Sequence, residues 1–124
     1  MILYLAIAAG GAGGAMLRYW MSGVVQGLGG ASFPWGTLAV NVLGSLILGI
    51  FMQLSTERFL FSQGTRLLLT TGFCGSLTTF STFSYETWML VESHQWPAAA
   101  GNVILNVLVC LAAVYLGLVL ARLI

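Results

Sequence analysis

Between positions 72 and 84 the chain reads Gly-Phe-Cys-Gly-Ser-Leu-Thr-Thr-Phe-Ser-Thr-Phe-Ser, hydroxyls, glycines and aromatic rings inside an otherwise apolar segment. Glycine weakens a helix, and Ser and Thr offer the backbone alternative partners. Two structures are therefore open to this run. One is an intact helix whose hydroxyls bond back to their own carbonyls. The other is a helix broken near residues 75–79. A break would free carbonyls and amides at mid-span, where they must be buried in protein or line a wet cavity, and broken helices at that depth build ion sites. Three carboxamides add to the run. Asn41 lies in the middle of the second apolar segment. Asn102 and Asn106, four apart in the fourth, share a helical face that Cys110 continues. Asn is costly in hydrocarbon without partners. It serves either as glue between helices or as the lining of a polar route, and three of them beside a hydroxyl run favour the route.

Such a route is neutral and rich in donors. Amide and hydroxyl groups donate hydrogen bonds, and phenylalanine rings carry a positive edge. Phe80 and Phe83, three apart, would present two ring edges on one helical side. Together these groups could replace the water shell of a small anion without holding it too tightly to leave. On that reading an apolar residue in place of Asn41 or Asn106 slows transport, because the anion loses a donor. No ionisable residue sits at mid-span, and Glu86 is the nearest. The single histidine, His94, falls in a loop between Trp88 and Trp96. No acid–base or nucleophile constellation is present, so an enzyme is not expected. Cys74 and Cys110 are far apart, lack CxxC spacing, and read as small buried hydrophobes.

The whole composition explains where such residues can sit. Of 124 residues, 59% are hydrophobic and 6% charged, with a net charge of +1 and no lysine; the mean hydropathy is +0.98. Seven ionised side chains cannot solvate the surface of so small a soluble protein. Disorder needs the opposite composition, and binding to nucleic acid needs many more basic residues. The chain therefore reads as an all-α integral membrane protein, one transmembrane domain over residues 1–124. Four helices are expected at about 2–25, 34–54, 65–91 and 97–122. Gly-rich residues 26–32 form the first turn, 55–64 (with Glu57 and Arg58) a solvated connection, and 92–96 a short loop. Pro34 and Pro97 suit helix starts. The first segment has no basic residue at its amino end and reads as a retained helix rather than a cleaved signal. Tyr19, Trp20, Trp35, Trp88 and Trp96 lie near the expected ends, where amphipathic rings favour the headgroup region. Arg58, Arg66 and Arg122 share the face of the N-terminus and Arg18 the opposite one, a bias too small to force one orientation. Gly10 and Gly14 form a GxxxG pair, and Gly36, Gly44, Ser45 and Gly49 repeat small residues on the second segment, as close helix packing in lipid requires. One copy makes a thin bundle, so a homo-oligomer is expected.

The run Gly72–Ser84 followed by Glu86 resembles the signature of the Fluc (CrcB) fluoride channel family. Gly13-Gly14-Ala15-Met16-Leu17-Arg18-Tyr19 and Gly36-Thr37-Leu38-Ala39-Val40-Asn41 resemble its first- and second-helix motifs, and length and layout agree over nearly the whole chain. The resemblance implies a third helix broken at mid-membrane and an antiparallel, dual-topology homodimer in the inner (cytoplasmic) membrane. It implies two pores that pass fluoride passively out of the cell. Phe80 and Phe83 would line the pore with Asn41, Asn102, Asn106 and Cys110. Thr79, Ser81 and Thr82 share the motif. Arg18 and Glu86 would stand at an aqueous vestibule. Main-chain carbonyls of Gly75 and Thr78, from both subunits, would hold a structural sodium ion (Na+). The fourth helix departs from the family pattern: many members carry Tyr, Ser or Thr where this chain has Asn102, Asn106 and Cys110, and a thiol is a weaker donor than a hydroxyl. The alternative is a dual-topology, proton-coupled exporter of small cations. It would want a buried carboxylate, and the first segment has none.

Overall fold

The computed structural model describes residues 1–57 and 61–124, except the side chain of Glu57; Arg58, one of the basic residues invoked for orientation, lies outside the described residues. The regular structure of the described residues is all helical, without a strand. Helix α1 spans Ile2–Gly29 and α2 spans Trp35–Glu57. A short α3, Gln63–Leu67, passes directly into a π-helical stretch, Leu68–Cys74, and then into one turn, α4, Gly75–Leu77. After two extended residues α5 runs Phe80–Glu92, and α6 runs Trp96–Leu123. Among the described residues, α1, α2 and α6 are each long and apolar enough to cross a membrane. At 28 residues, α1 and α6 reach about 42 Å, beyond a hydrocarbon core of about 30 Å. The pieces from Gln63 to Glu92 form one interrupted helical stretch between α2 and α6, called the third span from its place in chain order. All five aromatic residues expected at helix ends are exposed on the surface of the chain.

Helix α1 extends beyond Val25 because Gln26, assigned to the turn by its Gly-rich company, stays helical and organises the turn instead. Its Nε2 donates to Gly30 O (2.6 Å) and Phe33 O (3.0 Å), and its Oε1 accepts from Gly36 N at 3.0 Å. The reversal falls at Gly30, whose φ of +82° suits a residue without a Cβ. Ser62 caps α3 by accepting from Thr65 N at 3.2 Å.

Two glycine contacts set the bundle. On α1, Gly10 and Gly14 lie directly on the backbone of the π-helical stretch, where a methyl on either would strike the carbonyl of Leu68 or Phe73. A methyl on Gly72 in turn would come 2.7 Å from Ile7 O. The GxxxG pair thus brings α1 against irregular backbone rather than against another regular helix. The second contact joins α2 to α6. A methyl on Gly49 would meet Val114 O, and one on Gly117 would meet Leu46 O. Asn41 and Asn106 bond across the same pair with a sequence separation of 65. Gly49 and Val114 differ by 114 − 49 = 65 as well. Offsets that stay close along the two helices, 65 at these two contacts and 117 − 46 = 71 at Gly117 and Leu46, mean that they run parallel, side by side.

Candidate functional site

The third span breaks at Thr78 and Thr79. Both are extended, with φ −82° and ψ 156° at Thr78 and φ −150° and ψ 112° at Thr79. Thr78 still closes the preceding turn, its N and Oγ1 both donating to Cys74 O at 3.1 Å. Thr79 is the N-cap of α5. Its Oγ1 accepts from Thr82 N (3.2 Å) and donates to Thr82 Oγ1 (2.9 Å). A buried backbone interruption needs partners from elsewhere. Asn41 provides them: its Oδ1 accepts from Thr79 N at 2.7 Å and its Nδ2 donates to Thr79 O at 3.3 Å. A carboxamide presents the same donor and acceptor as a peptide group, so Asn41 substitutes for a strand neighbour at this one residue.

The polar contacts continue into α6. Asn41 Nδ2 also donates to Asn106 Oδ1 at 2.9 Å, and Asn106 Nδ2 donates to Asn102 O (3.1 Å) and Oδ1 (2.9 Å). Asn102 Nδ2 donates to Thr87 Oγ1 at 2.9 Å, which donates to Phe83 O at 2.7 Å. This chain of bonds therefore leaves the break at Thr79 and returns to α5. All three carboxamides are buried, Asn102 completely.

A cavity of about 280 Å³ opens at the break. Asn41, Thr78, Thr79, Phe80, Phe83, Asn106 and Cys110 line it, together with Ser45. The two rings lie 5.4 Å apart at 52°. Phe83 is buried, 8% exposed, whereas Phe80 is 79% exposed and forms the outer lip. A second cavity of about 220 Å³ is lined by Arg18, Thr37, Thr79 and Thr82. A third and larger one, about 520 Å³, is lined by Thr37, Thr82 and Glu86. Shared walls at Thr79, Thr37 and Thr82 join the three into one polar succession that ends at the α1–α2 turn. Glu86 faces the Thr37 hydroxyl, and its Oε2 is buried with no hydrogen-bond partner among the described residues.

Most residues singled out in the sequence meet here, but not all in one place. Asn102 lines none of these cavities and joins Asn106 to Thr87. Ser81 and Gly75 are exposed on the surface of the chain, and His94 is exposed in its loop. Thr37 and Ser45 were not singled out as site residues. They stand one turn on either side of Asn41 on α2, a four-residue spacing that matches Asn102, Asn106 and Cys110 on α6. That shared spacing was the signal available in the sequence.

Fold and site together describe an all-helical, multi-pass membrane protein with a polar cavity at an interrupted helix. The family model for the CrcB-like, camphor-resistance (CrcB) proteins matches residues 5–118, and the chain belongs to that family. It is 48% identical over 122 residues to a protein of Geobacter sulfurreducens named fluoride-specific ion channel FluC, covering 98% of each chain. A protein of the same name from Geobacter metallireducens is 48% identical over the same shares, and one from Rhodospirillum rubrum is 47% identical over 92% of this chain and 90% of its own.

Proposed function

We propose that this chain is a fluoride-selective passive channel of the cytoplasmic membrane that lets fluoride leave the cell. The observation that carries the reading is the cavity at the break, where Phe80 and Phe83 stand over a buried polar floor in a chain that shares nearly half its residues with fluoride-specific channels. The first turn of α5 points the positive end of its dipole at the break, and the amides of Phe80 and Ser81 have no intrahelical acceptor there. Ring edges and amides at one place favour an anion and can take over part of its hydration shell. Arg18 at the neighbouring cavity adds a positive charge to the approach.

The working form is an antiparallel homodimer with two pores, its copies inserted in opposite orientations. Exposure supports this. In one copy Gly75, Phe80, Ser81 and Thr82, all near the middle of the third span, face outward. Hydroxyls and unpaired backbone at that depth are costly against lipid, and a second copy would cover them. A structural sodium ion fits the same surface. Gly75 O and Thr78 O accept no hydrogen bond among the described residues, because Thr79 N, the amide due to Gly75 O, goes to Asn41. Free carbonyl oxygens are ligands that a hard cation takes. When bound, such an ion would neutralise the carbonyl dipoles that the break uncovers. The exporter alternative has no support in α1, which contains no carboxylate.

Purified protein in liposomes loaded with fluoride and chloride tests the reading. Rapid release of fluoride with chloride retained is expected. Release of chloride at a similar rate, or of neither ion, refutes it.

A further inference from the structure

Six polar side chains line the cavity at the break: Asn41, Ser45, Thr78, Thr79, Asn106 and Cys110. Their donors are mostly taken. Asn41 Nδ2 has two protein acceptors, Thr79 O and Asn106 Oδ1. Asn106 Nδ2 has two, both on Asn102. Thr78 Oγ1 donates to Cys74 O and Thr79 Oγ1 to Thr82 Oγ1. Two groups remain, the Ser45 hydroxyl and the Cys110 thiol, which face each other. Their separation, 110 − 45 = 65, repeats the Asn41–Asn106 offset, so they form the next rung of the same α2–α6 ladder. The hydroxyl's one partner there is the sulfur, a weak acceptor, so this rung holds the hydroxyl proton only loosely and it can turn towards the cavity.

We infer that Ser45 is the side-chain donor that the dehydrated anion meets at the break, the place that the Cys110 thiol on α6 fills poorly. The carboxamides shape the cavity and hold the break, and the hydroxyl one turn along α2 solvates the ion. The line of polar side chains that α6 carries at Asn102 and Asn106 thus continues on α2, at Ser45. The inference rests on the fluoride-channel reading and adds a residue to it.

Fluoride efflux from proteoliposomes separates the two. The parent must first release fluoride; if it does not, the channel reading fails and Ser45 loses its role with it. With a conducting parent, Ser45→Ala is expected to lower efflux about tenfold, as a lost hydrogen bond in the barrier does. Ser45→Thr keeps the hydroxyl and should stay within about threefold of the parent. Cys110→Ser placed in the Ser45→Ala background returns a hydroxyl across the same rung and should restore most of the loss, which a merely structural defect would not allow. Ser45→Cys, close in size and therefore safe for folding, should lose about fivefold because a thiol donates weakly. The inference is overturned if Ser45→Cys and Ser45→Ala conduct like the parent, or if Cys110→Ser brings no recovery in protein that assembles normally. Should Ser45→Ala fail to assemble, the Ser45→Cys rate decides alone.

Discussion

Helices α2 and α6 run unbroken for 23 and 28 residues and meet side by side in parallel, through carboxamide against carboxamide at Asn41 and Asn106 and, further along, through glycine against backbone. The third span changes from α to π to α, stops for two residues, and begins again. The first pair keeps its main-chain bonds within each helix, and side chains need only fit. The third span gives up some of those bonds, and its stability depends on side chains of another helix. Asn41 links the two regions, because it stands on a regular helix and completes the irregular one. In a membrane, a broken helix is therefore a property of its neighbours as much as of its own sequence.

The contrast can be broken most severely at that link. Asn41→Leu leaves Thr79 N, Thr79 O and Asn106 Oδ1 without their partner. Unfolding of the purified protein should become easier by about 3–5 kcal/mol, and fluoride efflux should fall about a hundredfold or more. If thermal stability and efflux are both retained, Asn41 does not hold the break. A paired glycine test comes next. Gly14→Val forces α1 off the π-helical backbone, and Gly117→Val forces α6 off α2. Each should cost about 1–3 kcal/mol of stability. The first should also reduce efflux per assembled protein by about tenfold and the second by about threefold, because the first moves the broken span itself while the second shifts α6 about two turns beyond the cavity residue Cys110. Equal efflux from the two variants would remove the distinction. The mildest change is Asn102→Leu, which reaches the break only through Asn106 and Asn41. It should cost about 1 kcal/mol and lower efflux about threefold, read in the same melting and efflux measurements.

Much of this was legible from residue types. Sustained apolar length gave the spans, because a membrane leaves few alternatives, and the hydroxyl run with its glycines marked residues 75–79 as the place where a helix could open. What the sequence left open there was intact helix or break. That choice depends on a carboxamide 38 residues away, which no local pattern reports. The π-helical stretch was not visible either. It exists where Gly10, Gly14 and Gly72 let two backbones touch, and a GxxxG pair does not say what it will pack against. Gln26 was hidden by its glycine neighbours, although a long polar side chain at a helix end can hold the turn beyond it. The carboxamides were read as donors for the ion, yet in the chain their nitrogens are engaged with each other, with Thr79 and with Thr87. A sequence shows which donors exist, not which are already taken.

The path itself is tested most directly by fluoride efflux from Phe80→Ile and Phe83→Ile proteins beside the parent, with assembly checked by gel filtration. Loss of most fluoride efflux in either variant, with assembly unchanged, is the predicted result. Efflux at the parent rate from both would place the ion's route somewhere other than the cavity at the break.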